Sequence, residues 1–217
     1  MKTEQLRPYT LTNNEEISPG VHLISFLRLF DFIPGQVVKV ALQPKEIPRI
    51  YSICSGNHED EISILFNIKE DGMLTPRLAA SVPGEKIWVS SPYGSFTGSP
   101  DPAWWIAAGT GIAPFYSMFC SGQGGNKKLI HGVKYLSQFY FNDEWEWALE
   151  ESYVRCCSRE SSCDTFPGRV TDYLSEEKEF PDINYYICGK ALMVVEVRDL
   201  LIAKGVPFKR IFSEIYF

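Results

Sequence analysis

Residues 104–115 read Trp104-Trp105-Ile106-Ala107-Ala108-Gly109-Thr110-Gly111-Ile112-Ala113-Pro114-Phe115. An apolar run of strand length meets a Gly-x-Gly turn, and the turn opens a helix. Downstream, strand and helix alternate. Strands are expected at 104–108, 127–133, 153–157, 184–188 and 210–215, with helices near 113–120, 143–150, 171–174 and 191–204. The last helix is closed by Gly205, with Pro207 just beyond. Such alternation implies a parallel sheet with helices on both faces. Upstream the chain reads as short β runs at 21–29, 36–42, 49–54, 61–68 and 85–90, separated by Gly- and Pro-containing turns and interrupted by one short helix at 75–80. Evenly spaced short strands suggest a closed antiparallel barrel. The punctuated stretch 92–102 places the boundary, giving an N-terminal antiparallel β-barrel at 1–99 and a C-terminal α/β parallel-sheet domain at 100–217.

The chain has 217 residues, 45% hydrophobic and 22% charged, with a formal net charge of −6. That length is ample for buried cores, and the negative charge argues against general nucleic-acid binding, which needs clustered Lys and Arg. The 14% aromatic content is high, as for large cores or for rings that face a flat ligand. Residues 2–5 are polar, so the sequence predicts no secretory signal, no membrane span and a cytoplasmic location. Six cysteines are irregularly spaced. Cys156, Cys157 and Cys163 match no common zinc or iron–sulfur pattern, so no metal site is expected.

Three further elements carry chemistry. Arg49-Ile50-Tyr51-Ser52 lies on a barrel strand, so Arg49 and Tyr51 share a face. An arginine beside an aromatic suits a phosphate and a ring, although an ordinary strand surface has the same pattern. In Gly72-Met73-Leu74-Thr75-Pro76-Arg77-Leu78 a glycine turn leads to Thr75 as a helix N-cap with Pro76 behind it. Simple capping explains both residues, and a helix N-terminus also binds phosphate. The 104–115 stretch is similar to the dinucleotide fingerprint, with Pro114 where a third glycine would stand.

In this order, and with Cys188-Gly189 closing a late strand, these elements resemble the ferredoxin–NADP reductase superfamily. Residues 72–84 are similar to the bacterial ferredoxin/flavodoxin–NADP reductases. The resemblance implies a flavin-binding barrel and an NADP-binding α/β domain. It assigns Arg49 to flavin phosphate, Tyr51 to the isoalloxazine face and Ser52 to the neighbourhood of flavin N5. It also assigns Thr75 to the diphosphate, with Ile50, Gly72 and Leu74 in the same cofactor set. Gly109, Thr110, Gly111 and Pro114 fall in the nicotinamide-nucleotide motif. Ser158-Arg159 and Arg169 match the 2′-phosphate site, where a dianion calls for Arg and a hydroxyl rather than a carboxylate. Cys188 and Gly189 lie beside nicotinamide C4. Tyr216 covers the flavin ring, Phe217 the adenine of FAD, and Glu214 handles a proton or places the nicotinamide. Family members often carry arginine at the position of Lys134, and lysine lacks the bidentate fork. His131 reads as a strand-end histidine, while His22 and His58 have no supporting neighbours.

The expected activity is hydride transfer from NADPH to FAD (FMN being the less favoured flavin), with electrons passing on to ferredoxin or flavodoxin in a reaction that can run in reverse. Lys204, Lys209 and Arg210 are candidates for a basic docking rim. The alternatives are a free-flavin or diaphorase-type reductase, and an electron-transfer subunit of an oxygenase or larger complex.

Overall fold

The computed structural model describes residues 6–216, which form two compact units. The first runs as far as Gly98 and adds Ala113–Gly122; the second holds Ser99–Ile112 and the chain from Gln123 onward.

The first unit contains β1 (Arg7–Ser18), β2 (Val21–Leu27), β3 (Val37–Ala41), β4 (Arg49–Ser52), β5 (Glu61–Asn67) and β6 (Lys86–Val89). They pair antiparallel in the order β4-β3-β6-β1-β2-β5. An Ile53–Ile64 bridge joins the two ends, so the sheet closes into a barrel without long open edges. Inward residues such as Leu11, Ile24, Phe26, Val38, Val40, Ile62, Ile64 and Ile87 form one core, as period-two alternation requires. Strand β1 is absent from the sequence expectation. It pairs with β6 through Arg7–Thr10 and with β2 from Leu11 onward, across two register shifts.

Helix α1 (Thr75–Ala79) buries Leu78 completely. The expected capping role of Thr75 is corrected: the N-cap is Leu74, with no side-chain cap. The Thr75 hydroxyl instead accepts from the Lys69 amide at 2.9 Å. The Lys69–Gly72 turn, closed by a 2.8 Å backbone bond, folds that amide back over the helix start. The far end of α1 is held by Asn14, whose amide donates to the carbonyls of Leu78, Ala79 and Ser81 at 3.2, 3.0 and 2.6 Å. Asn14 Oδ1 accepts from His22 Nδ1 at 2.8 Å, and the His22 ring stacks on Phe66. His22 therefore has the neighbours that the sequence did not reveal. Helix α2 (Ala113–Met118) packs Phe115 against Phe96 and donates from Ser117 to the Ser55 carbonyl at 2.7 Å. It ends in a π turn, Phe119–Gln123.

The second unit is a parallel sheet of β7 (Ala103–Ala108), β8 (Lys127–Val133), β9 (Tyr153–Cys157), β10 (Phe166–Pro167), β11 (Asn184–Lys190) and β12 (Ile211–Tyr216). Its order is β10-β9-β8-β7-β11-β12. Helices α4 (Val170–Glu176) and α5 (Ala191–Ala203) cover one face through Val170, Leu174, Val194, Val197 and Leu201, which pack on Trp104, Ile106 and Ile130. Helix α3 (Asn142–Leu149) covers the other, where Trp145 meets Trp105 edge-on. The chain steps outward from β7 to β10 and then returns to the opposite side of β7. The strand order therefore reverses between β7 and β11, which is where sheets of this type bind ligands, beyond their carboxyl ends. No helix among the described residues is long and apolar enough to cross a membrane.

The Asn14 bonds should be measurable. Asn14→Ala leaves several carbonyls at the end of α1 without their donor and should lower unfolding free energy by about 1–3 kcal/mol. Urea denaturation checks this, and a midpoint unchanged from the parent would show that Asn14 does not hold the helix.

Candidate functional site

The turn after β7 is fixed by close approach. Gly109 has φ +56°, a left-handed value that glycine adopts without strain. At Gly111 an added Cβ would lie 2.3 Å from the Cys188 carbonyl oxygen and 2.7 Å from its carbon, so only glycine lets the turn lie against the end of β11. Pro114 sits in the first turn of α2, where its missing N–H removes no helical bond. Thr110 is buried within the turn.

His131, from the neighbouring strand β8, reaches the same turn. It is fully buried, and its Nε2 is 3.1 Å from the Gly109 carbonyl. Burial pushes its pKa down to about 4, so the ring is neutral, and because a carbonyl only accepts, Nε2 carries the proton. Nδ1 has no hydrogen-bond partner among the described residues. This histidine, read from sequence as an ordinary strand end, is part of the scaffold of the glycine turn.

On the other side of the turn, Cys188 is fully buried. Burial holds its thiol well above the usual range, opposed by a hydrogen bond with the Tyr216 side chain. The thiol is neutral, which suits a positional role and not a nucleophile. Glu214 stands opposite Cys188 in the β11–β12 register, and burial raises its carboxyl pKa. Gly189 follows, buried against Ala108 and Met193. Phe217 lies outside the described residues.

At the opposite end of the sheet rim, Ser158 and Arg159 leave β9. Their amides donate to the Val133 and Lys134 carbonyls at 3.1 and 3.0 Å, and the Ser158 hydroxyl donates to Val133 at 3.3 Å. Arg169 precedes α4 and donates its amide to Asp172 at 2.7 Å. Lys134 is exposed beside Arg159. The guanidinium groups fall into two sets. Arg28, Arg77, Arg155, Arg198 and Arg210 are ion-paired. Arg7, Arg49, Arg159 and Arg169 are exposed, and none has a carboxylate partner among the described residues.

In the barrel, Arg49 and Ile50 are exposed on β4, while Ser52 is buried. Tyr51 lies between them, edge-on to Phe66 at 5.9 Å, and burial pushes its hydroxyl up to about 12. Leu74 is buried, whereas Gly72 and Thr75 are partly exposed. Two of the three residues expected in a basic rim are engaged elsewhere. Lys204 donates to the Ser175 and Glu177 carbonyls at 2.8 and 3.0 Å, and Arg210 binds Asp182 and Asn184. Lys204 thereby supplies donors to carbonyls at the end of α4, and Arg210 holds side chains at the start of β11.

The two units are thus a closed antiparallel barrel and a doubly wound sheet with a glycine turn at its switch point. Residues 105–199 match the oxidoreductase NAD-binding domain family. The chain is 29% identical to the toluate 1,2-dioxygenase electron transfer component of Pseudomonas putida, over 90% of this chain and 63% of that one. It therefore spans less than two thirds of that relative. It is 27% identical to ferredoxin–NADP reductase B of Sorangium cellulosum, over 92% of this chain and 93% of that one. A ferredoxin NADP+ reductase from Neisseria gonorrhoeae, solved with bound FAD and NADP, superposes with a TM-score of 0.90 at 20% identity, covering 98% of this chain and 99% of that one. The chain is thus similar in sequence to ferredoxin–NADP reductases and to oxygenase electron-transfer components, and shares the ferredoxin–NADP reductase fold.

The burial of His131 has a pH signature. Its folded pKa of about 4 lies below the ordinary 6.5, so the unfolded chain takes up its proton first as pH falls. The contribution is complete above pH 6.5 and is lost on descent towards pH 4, by about 3 kcal/mol. His131→Gln keeps an N–H for Gly109 and does not titrate. Stability curves of the two proteins should therefore converge as pH falls through this window. Parallel curves would show that His131 does not titrate as described.

Proposed function

We propose that this chain is an NADPH-dependent flavin oxidoreductase that binds FAD and passes electrons to ferredoxin or flavodoxin, with the same site able to work in reverse. The observation that carries the reading is the sorting of the arginines. All three at motif positions, Arg49, Arg159 and Arg169, are exposed without a carboxylate partner among the described residues, a state that only Arg7 shares outside the motifs. An unpaired guanidinium is ready for bidentate phosphate binding. The close approach of Gly111 to β11 similarly fits a backbone turn that must meet a diphosphate.

On this reading Arg49 holds flavin phosphate, with Gly72, Leu74 and Thr75 completing the diphosphate wall. Tyr51 packs on the ring, Ile50 gives it apolar contact, and Ser52 lies near N5. The chemistry that a bound flavin supplies is acceptance of hydride and release of electrons one at a time. Gly109, Thr110, Gly111 and Pro114 cradle the dinucleotide. Ser158, Arg159 and Arg169 bind the 2′-phosphate. Cys188 and Gly189 shape the nicotinamide site, Glu214 holds a proton there, and Tyr216 and Phe217 cover the flavin. A second reading, as the electron-transfer component of an oxygenase, is supported by the similarity to the toluate dioxygenase component. It differs only in the acceptor.

The test is an anaerobic visible spectrum. Purified protein should show flavin bands that NADPH bleaches quickly and NADH slowly. Arg159→Ala should reduce the NADPH preference by about tenfold or more, since one charge-assisted hydrogen bond is worth roughly 1.5–3 kcal/mol. Steady-state rates with ferredoxin, flavodoxin, free FMN and an oxygenase then rank the acceptors. A colourless protein that neither FAD nor FMN reconstitutes would overturn the reading.

A further inference from the structure

Arg155 lies on β9, three residues before Ser158, with its side chain 15% exposed. It joins three parts of the second unit. Nη2 pairs with Asp164 at 2.5 Å, and Nη1 pairs with Glu146 of α3 and bonds Asn142 Oδ1 at 3.3 Å. The guanidinium also lies 6.0 and 5.8 Å from the ring centres of Phe139 and Tyr153. Two carboxylates neutralise it, so it has no charge left for a ligand phosphate.

Asp164 belongs to the loop between β9 and β10, which begins with Ser158 and Arg159. At its near end the loop is tied to β8 by the Ser158 and Arg159 amides, and Glu160 accepts from the Leu136 amide at 2.6 Å. Its far end is knotted on itself: the Ser162 amide donates to Thr165 at 3.0 Å, and the Ser162 hydroxyl donates to Asp164. Beside it lies an open pocket of about 280 Å³ lined in part by Phe139, Asn142, Arg155, Ser162, Asp164 and Thr165. Its residues 158–165 are exposed or half-buried, so the loop is not located by apolar packing. Polar ties must fix it, and the pair from Asp164 to Arg155 is the one that fastens its far end to β9.

We propose that Arg155 is a positioning residue that holds the 158–165 loop, and so sets how strongly Ser158 and Arg159 favour a 2′-phosphorylated adenine nucleotide. The inference rests on the reading of Ser158 and Arg159 as the phosphate site. Arginine suits the task because one planar fork can serve Asp164 and Glu146 together, which an ammonium does poorly. Without the pair, binding must also order the loop, and that cost falls on the phosphate contacts.

The test compares 2′,5′-ADP with 5′-AMP by calorimetry on the intact protein, since the two probes differ only in the 2′-phosphate. Asp164→Asn is the primary variant, because Asp164 is half exposed and its loss leaves the core intact. It should weaken 2′,5′-ADP binding by about tenfold, the scale of a small misplacement of binding groups, and leave 5′-AMP unchanged. Arg155→Lys should give a smaller loss in the same direction. Equal weakening of both probes, or no change in either, overturns the inference and reduces Arg155 to a structural ion pair. Arg159→Ala separates the two levels. If it abolishes the preference while Asp164→Asn does not, the inference fails alone. If Arg159→Ala keeps parental 2′,5′-ADP affinity, the phosphate reading fails and takes the inference with it.

Discussion

The backbone of Gly111 lies against the carbonyl of Cys188, and the second unit is organised around that contact. A side chain at residue 111 would need the space that the carbonyl occupies. The contact is possible because β7 and β11 are hydrogen-bonded neighbours, with Ala107 opposite Cys188. Small residues on both strands keep the approach open. From the other flank, β8 sends His131 to the Gly109 carbonyl. Three central strands thus converge on one turn, and each contributes a different constraint: a missing Cβ, a bare carbonyl and a buried neutral ring. A change in any of them moves the backbone N–H groups that the turn presents.

A second organising rule is the allocation of positive charge. Lys128 lies 4.3 Å from the Trp104 ring centre and pairs with Glu177 at 2.8 Å. Lys204 closes the end of α4, and Arg155 braces α3 against the β9–β10 loop. These cations are consumed by the fold. The chain is acidic overall, so carboxylates are plentiful. That Arg7, Arg49, Arg159 and Arg169 have no carboxylate partner among the described residues is therefore a property of where they are placed and not of supply.

The sequence made the architecture legible wherever patterning was strong. Strands β8 and β9 and helix α5 follow from apolar runs and from Gly205, whose φ of +92° confirms a left-handed stop. Strand β1 was invisible because Asn13–Glu16 is polar and of low strand propensity. Tertiary pairing with β2, including two irregular steps, imposes the strand there. Strand β10 is two residues long and ends in a proline, too short for any period to register. The site divides in the same way. Glycine turns and motif arginines are local signals and could be read directly. The capping of α1 by Asn14, the bond of His131 to Gly109 and the loop tie of Arg155 join residues nine or more positions apart. No spacing rule exposes them. Thr75 shows the converse: a correct local rule overridden by a turn that offered its hydroxyl a nearer donor.

The rim of the parallel sheet is electrostatically graded, and the gradient follows strand order. On the β9 side stand Lys134, Arg159 and Arg169, exposed and charged. On β11 and β12 the titratable groups are held neutral or pushed that way: Cys188 by burial, and Glu214 with its carboxyl raised. Neighbouring strands are about 4.8 Å apart, so the two poles lie roughly three strand spacings, or about 14 Å, from each other. A desolvated neutral pole gives a bound anion little reason to settle there, because ion burial without a partner is costly. The charged pole attracts one. A ligand with phosphate at one end and an uncharged ring at the other thus has one favourable direction along the rim.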